Sequence, residues 1–571
     1  MSSDDEDPCD AVCRSERGPY ADHAERRPTI SGPPERRRHG DDVNHDLPRR
    51  DVLRLAGAAA LAGALTGCTA GGSKPGSTPP PTPSTSPVPP TVLSSSHSPT
   101  RAVSPTFTEL AAQISGGLVQ AGQPGYDPAA LLYNPRFATQ PAPRAIARCR
   151  TREDVAACVR FAAAGGAPLR LRNGGHSYGG WSSGPGLVAD LAAMNTVTID
   201  AAKHTATIGA GARLADVYAA LAARGVSIGG GSCATVGVTG LTLGGGVGVL
   251  NRAYGLTCDQ LRAAEVVTAD GRIRTVSADA DPDLFWALRG GGPSFAAVTS
   301  LTFAVRPAPT ISTFFLQWPW PAAAAVLSGW QHWIRGIPRE LWTTCKLLAD
   351  PGQGSKATVS GTWIGSGSLA SQLKALLATV PPASNSYRNT AGYGQTMLGE
   401  AGCSGQSAAD CIAEALTPGK RQPFAATSSI MQRELPANGI AAIVGAVAAA
   451  SGVAGLIEGG VAFDSLGGAV ADVDVHATAF PWRHALATLQ YTATWAYGRP
   501  PAAAAPFDSY VRAERRALTP WLGTSAYFNY ADPSITDFAT AYWGANLPRL
   551  QQVKRSYDPH NVFSFPQSVP L

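Results

Sequence analysis

The chain has 571 residues, 44% hydrophobic and 15% charged, with a net charge of +5. That length calls for two lobes, and the apolar content is enough for a sizeable core. The charge is small for the length and swollen by N-terminal arginines, so it gives no ground for a nucleic-acid partner.

Met1 to Pro48 is polar, rich in Arg, Asp and Glu, and reads as disordered. Arg49-Arg50, followed by Val52, Leu53 and Arg54, resembles a twin-arginine export signal. The apolar run Leu55 to Gly67 is too short to span a bilayer and suits a signal segment. Leu65-Thr66-Gly67-Cys68 resembles a lipoprotein cleavage site, which would leave a lipid on Cys68 as the one contact with a membrane. The alternative is a simple cleaved signal with Cys68 incidental. Nearly fifty residues before such a signal also fits a translation start nearer Val43. Gly71 to Pro105 is almost all Ser, Thr, Pro and Gly, a solvated tether. The expected divisions are 1–67 for extension and signal, 68–106 for the linker, 107–309, 310–509 and 510–571.

The globular part begins near Tyr133, and Asn134-Pro135 followed by Pro141 to Arg144 resembles the entry strand of a known family. Thr151 to Ala164 has helical spacing of Val155, Cys158, Val159 and Ala162, with Thr151 as N-cap. Pro168 to Arg172 reads as a short strand and runs into the loop NGGHSYGG, which carries His176. Leu187 to Met194 reads as a strand and turn, and Val197 to Ile199 with Thr205 to Ile208 as a hairpin. Leu214 to Arg224 is an amphipathic helix. Then comes IGGGSCATVGVTGLTLGGGVGVLNRAYGLTCD, Ile228 to Asp259, with nine glycines before Asn251 and no acidic residue before Asp259. So much glycine lets backbone approach a ligand closely and turn N–H groups toward an anion. One cysteine, Cys233, sits inside it. Arg262 to Thr268 and Arg272 to Val276 form a hairpin around Ala269-Asp270-Gly271. No GxGxxG opens a helix after a strand, so a Rossmann domain is disfavoured.

From about Thr310 to Ala505, helical runs such as Pro321 to Ile334 and Ser368 to Val380 alternate with strand-like runs such as Ala357 to Trp363 and Ile457 to Phe463. Cys403 and Cys411 lie close enough to pair in an exported protein. Cys149 with Cys158, and Cys258 with Cys345, have no such spacing argument. Histidines 332, 476, 484 and 560 are scattered, and no segment has metal-ligand spacing, so no metal is expected.

The motifs GGHSY, Gly231-Ser-Cys233-Ala-Thr-Val-Gly237, DLFWALRGGG and Tyr527-Phe-Asn529-Tyr530 resemble the berberine-bridge-enzyme-like branch of the PCMH-type FAD oxidoreductases. The resemblance covers about Asn134 to Leu571. It implies an α+β fold: a PCMH-type (vanillyl-alcohol-oxidase-like) FAD-binding domain and a second α+β substrate domain on an antiparallel sheet. From residue 510 the chain would return to the first domain. It also implies FAD held by two covalent bonds, His176 to the 8α-methyl carbon and Cys233 to C6. Further cofactor contacts are implied for Arg172, Asn173, Gly174, Gly175, Ser177, Tyr178, Val236, Gly237, Gly240, Gly244, Gly246, Gly248, Val298, Asn529 and Asn561. One departure stands out: Pro293-Ser294-Phe295-Ala296-Ala297 replaces the family's Gly-Asn-Phe-Gly-Val, which questions local flavin contacts there.

The implied chemistry is removal of a hydride from an alcohol carbon by flavin while a protein base takes the hydroxyl proton. Tyr530 is the first candidate base and Tyr527 the second. Asp464 matches an acid that assists the tyrosine in some sugar-oxidising members, and Gln490 matches a polar residue on the substrate side. The competing role for each tyrosine is core packing. The function expected is an exported FAD oxidase of an alcohol group on a sugar, oligosaccharide or glycosylated metabolite, with dioxygen as acceptor. Val236 carries the dioxygen expectation: in relatives that position lies beside flavin C4a, and a small valine leaves room there. Alternatives are a dehydrogenase using another acceptor, and a catalytically silent surface flavoprotein.

Overall fold

The computed structural model describes residues 104–571 except 139–141 and 418. The export signal, Cys68 and nearly all of the linker lie outside the described residues.

The first lobe carries two sheets. Ala145–Arg148, Leu187–Asp190 and Leu169–Arg172 run parallel, with Leu118–Gln120 antiparallel at one edge. The expected first strand begins later than the sequence suggested, at Ala145. Pro135 has no N–H for a sheet ladder, and Asn134 instead accepts from Arg136 N to cap a 3-10 turn. Thr151 caps Arg152–Ala163 in a full capping box with Asp154. The second sheet is antiparallel, in the order Val197–Asp200, Thr205–Gly209, Ala297–Ala304, Leu261–Val267, Ile273–Ser277. Both expected hairpins are in it. The helix Leu214–Ala222 buries Leu214, Val217, Tyr218 and Leu221 against this sheet's core.

The second lobe is a seven-stranded, wholly antiparallel sheet. Its order is Asn385–Gly392, Thr310–Pro319, Lys356–Trp363, Leu341–Ala349, Leu456–Ser465, Ala487–Trp495, Phe424–Met431. One face is apolar: Phe314, Leu316, Trp318, Cys345, Leu347, Val461 and Phe463 pack beneath helices Ala323–Trp333 and Ala437–Ala448. The period of two sends Phe315, Lys346, Ala462 and Asp464 to the other face.

Helix Ala505–Leu522 corrects the expected boundary at 510. Its buried stripe of Phe507, Tyr510, Val511, Leu518 and Leu522 belongs to the second lobe's core. The return to the first lobe's core starts near Ala526. There Lys554 is fully buried, and its ammonium donates to Ser294 O (2.7 Å), Asp558 Oδ2 (2.6 Å) and Phe563 O (2.9 Å). All three donors of a buried cation are satisfied, which is the condition for keeping it charged inside. Ser294 Oγ also accepts from Val569 N, so the departure at Pro293 to Ala297 leaves a working turn and a tie to the C-terminus.

The Cys403–Cys411 disulfide is formed, with Cα atoms 5.5 Å apart. Cys149 and Cys158, which had no spacing argument, bring their sulfurs to 3.8 Å because strand end and helix pack in one core.

Candidate functional site: a glycine cradle facing a polar sheet

Two loops of the first lobe meet at Gly174 and Gly237. A Cβ added to Gly174 would strike Gly237 backbone and the Thr235 carbonyl, so only glycine permits the approach. The contact brings His176 within 2.9 Å of Thr235 Oγ1, through Nε2. The His176 ring stacks on Tyr133 with centroids 3.6 Å apart. Burial and the nearby Arg213 and Arg421 hold His176 neutral, with its pKa down to about 3. A neutral imidazole keeps a lone pair, as a nucleophile toward an electron-poor ring must. Cys233 lies two residues before Thr235, exposed and unpaired. Surrounding protein pushes its thiol up, and Lys346 opposes that push. Ala234 beside it packs on the Cys403–Cys411 staple, a contact that no local sequence signal announces.

The second glycine run is shaped around Tyr527. Gly246 has φ of +90°, an angle that side chains rarely accept, and its N–H donates to the Tyr527 hydroxyl at 2.9 Å. Val247 N (3.1 Å) and Asn529 Nδ2 (2.9 Å) donate to the same oxygen. Asn529 fills the space that a Cβ on Gly244 would take, and also donates to Leu241 O. Gly248 is required by the Gly230 carbonyl against it, while Gly240 faces open space. Tyr527 is therefore a scaffold for the loop. Burial first, against these three donors, raises its pKa to about 12.

Tyr530 is different. The 3-10 turn Phe528–Tyr530 carries it past Tyr527, edge to face at 5.0 Å, to stack on Tyr178 at 5.5 Å. Among the described residues, no group hydrogen-bonds its hydroxyl. Burial, then the Asp464 carboxylate, raises its pKa well above the usual tyrosine range. Asp464 is itself raised by burial and lowered again by Lys346. Gln490 Nε2 donates to the Tyr178 hydroxyl at 2.6 Å, which ties the seven-stranded sheet to the GGHSY loop. A second tie closes the glycine-rich stretch at its far end. Buried Arg483 makes a two-pronged ion pair with Asp259, both contacts at 2.7 Å.

The other expected cofactor residues divide. Arg172 pairs with Asp190 (2.8 Å) and leaves Nη1 buried without a partner. Asn173 donates to Ala210 O, Gly175 has φ of +72°, and Ser177 Oγ accepts from Trp181 N. Val236 is half-buried and its carbonyl accepts from Leu214 N. Val298 lies buried in a strand paired with Val266. Asn561 sits exposed in a turn at φ of +55°. The residues fit a flavin: a cradle that Cβ atoms would obstruct, an orphaned guanidinium nitrogen, and two nucleophilic side chains at one mouth. The Asp259–Arg483 pair and the packing of Ala234 against the Cys403–Cys411 disulfide are the supports that sequence reasoning missed; a lone Asp and a lone Arg 224 residues apart give no pattern to read.

The FAD binding domain model matches residues 143–277, and the "Berberine and berberine like" model matches 526–570. The chain is 32% identical to "Uncharacterized FAD-linked oxidoreductase YgaK" of Bacillus subtilis, over 80% of this chain and 97% of that one. It is 30% identical to the xylooligosaccharide oxidase of Thermothelomyces thermophilus, over 75% of this chain and 87% of that one. The solved structure of BBE-like 1 from Physcomitrella patens superposes with a TM-score of 0.74 at 29% identity, covering 82% of this chain and 99% of that one. The glycine cradle, the seven-stranded antiparallel sheet and these matches place the chain in the berberine-bridge-enzyme-like family of FAD-linked oxidoreductases, with the PCMH-type fold.

Proposed function

We propose that this oxidoreductase is an oxidase of an alcohol group on a sugar or oligosaccharide, with its FAD attached to both His176 and Cys233. The observation that carries the reading is half-buried Tyr530, its hydroxyl unbonded and its ring stacked on Tyr178, with Asp464 and Cys233 near enough to raise its pKa. Bound FAD would accept a hydride from the alcohol carbon. Tyr530 takes the hydroxyl proton as its own proton passes toward Asp464; both groups are held above their ordinary pKa values, so the pair retains one proton. Gln490 orients Tyr178 on the other side of the substrate. The xylooligosaccharide oxidase relative supports a carbohydrate substrate.

Dioxygen is the proposed acceptor, giving hydrogen peroxide, and half-buried Val236 is the residue that leaves it room. A leucine there adds a methylene to packed surroundings that have no slack. We also propose export by the twin-arginine route and a lipid on Cys68, since an enzyme that bonds FAD covalently should fold around it before export. The test is anaerobic mixing with a panel of mono- and oligosaccharides, followed by aerated buffer. A sugar should bleach the flavin, and air should restore it with release of peroxide. Bleaching without restoration by air makes the protein a dehydrogenase; no bleaching by any sugar removes the carbohydrate reading. Val236→Leu should slow restoration about tenfold or more while leaving bleaching intact.

A further inference from the structure

The loop that carries Cys233 is tied down on both sides of the cysteine. Before it, the Tyr393 hydroxyl donates to Ile228 O at 2.9 Å, Gln260 Nε2 donates to Gly229 O at 3.0 Å, and the Tyr218 hydroxyl donates to Gly231 O. After it, Ala215 N donates to Ala234 O and Leu214 N to Val236 O, both at 3.0 Å. Between these ties, among the described residues, Ser232, Cys233 and Ala234 donate no backbone hydrogen bond. The place of the thiol is left to packing. Of its two neighbours in the chain, Ser232 is half-buried and Ala234 is buried.

What Ala234 packs against comes from between two strands of the seven-stranded sheet. Helices Tyr393–Glu400 and Ala408–Leu416 form a hairpin closed by the Cys403–Cys411 disulfide. The hairpin lies on the helix Leu214–Ala222: a Cβ on Gly394 would sit 2.7 Å from that of Ala222, so glycine is what lets the helices close. Ala215, Ala234, Cys403, Cys411 and Ile412 form one apolar cluster. The first hairpin helix is held without the disulfide, by Tyr393 at Ile228 and by Met397 in the first lobe's core. The second buries only Cys411 and Ile412, both in the cluster with Ala234. A helix of two or three turns is marginal in water by itself, so the disulfide is what keeps this one seated on Ala234.

We propose that the Cys403–Cys411 disulfide is a positioning element for Cys233: it keeps helix Ala408–Leu416 on Ala234 and so holds the thiol where it can bond flavin. The proposal rests on the two-bond reading above and deepens it, since one bond then depends on the disulfide and the other does not. His176 is fixed by its stack on Tyr133 and by the Gly174–Gly237 contact, outside the cluster. Attachment at Cys233 forms one sulfur–carbon bond. One proton leaves the thiol and one the ring carbon, and the electron pair passes to dioxygen as hydrogen peroxide. Such a step needs the sulfur in line with the carbon, and a small misplacement slows it steeply.

The experiment reads acid-stable flavin, as a fraction of bound flavin and over time, in two backgrounds of the purified holoenzyme. In His176→Ala it reports Cys233 alone; in Cys233→Ala it reports His176 alone. Adding Cys403→Ser with Cys411→Ser should slow attachment about tenfold or more in the His176→Ala background. In the Cys233→Ala background it should change nothing, which also shows that the chain without the disulfide folds and binds FAD. Ala234→Gly removes the methyl under the disulfide and keeps the disulfide itself. It should give a smaller loss, again in the His176→Ala background only. Equal attachment with and without the disulfide in that background overturns the proposal and leaves the two-bond reading standing. So does an equal loss in both backgrounds, the mark of a disulfide that only stabilises the fold. If His176→Ala releases all its FAD with the disulfide intact, Cys233 makes no bond, and the two-bond reading falls with the proposal.

Discussion

The two lobes encode their sites in different ways. In the first lobe the information is in the backbone. Gly174, Gly244 and Gly246 are fixed by what a Cβ would hit or by a positive φ, and the groups they face are Gly237, Asn529 and Tyr527. In the second lobe it is in alternate side chains of a regular sheet, where Asp464, Ala462 and Lys346 follow no local constraint beyond facing away from the core. Backbone demands leave few residue choices; a solvent-facing sheet surface leaves many. One fold can thus keep its glycine cradle recognisable while the exposed face of its sheet changes.

The contrast predicts separate phenotypes. Tyr530→Phe, at the junction of the lobes, should carry the largest effect. The rate of flavin reduction should fall by about two or more powers of ten, as expected on losing a general base, with the bound flavin spectrum unchanged. Stopped-flow reduction at saturating sugar measures it, and a wild-type rate would remove Tyr530 from proton transfer. Tyr527→Phe should do the reverse. It strips the acceptor from Gly246 N, Val247 N and Asn529 Nδ2. Stability should drop by about 1–3 kcal/mol, read as a lower melting temperature of holoenzyme, while reduction slows far less than in Tyr530→Phe. If the two variants were indistinguishable, the division between scaffold and reacting tyrosine would be wrong.

What could be read beforehand follows the same line. The hairpins, the helix capped by Thr151 and the loops of His176 and Cys233 all announce themselves locally, through turn residues, caps, period and glycine, while the antiparallel second sheet was implied by the family resemblance alone. The helix Ala505–Leu522 was split wrongly at 510, because an amphipathic stripe says that a helix is buried and not against which lobe. Tyr527 and Tyr530 could not be ranked from a three-residue spacing. Only the 3-10 turn between them shows one hydroxyl saturated by three donors and the other free. The alignment of Lys346 with Thr358, and of Thr358 with Gln317, was hidden for a related reason: register between strands is set by tertiary pairing, not by either strand alone.

The central claim is that the two glycine-flanked loops grip one flavin, through His176 and through Cys233. Acid precipitation of purified holoenzyme tests it directly. Wild type, His176→Ala and Cys233→Ala should each keep yellow flavin in the washed pellet, and the double variant should release all of it to the supernatant. Complete release of FAD from wild type, or loss of colour from one single variant alone, would contradict attachment at both residues.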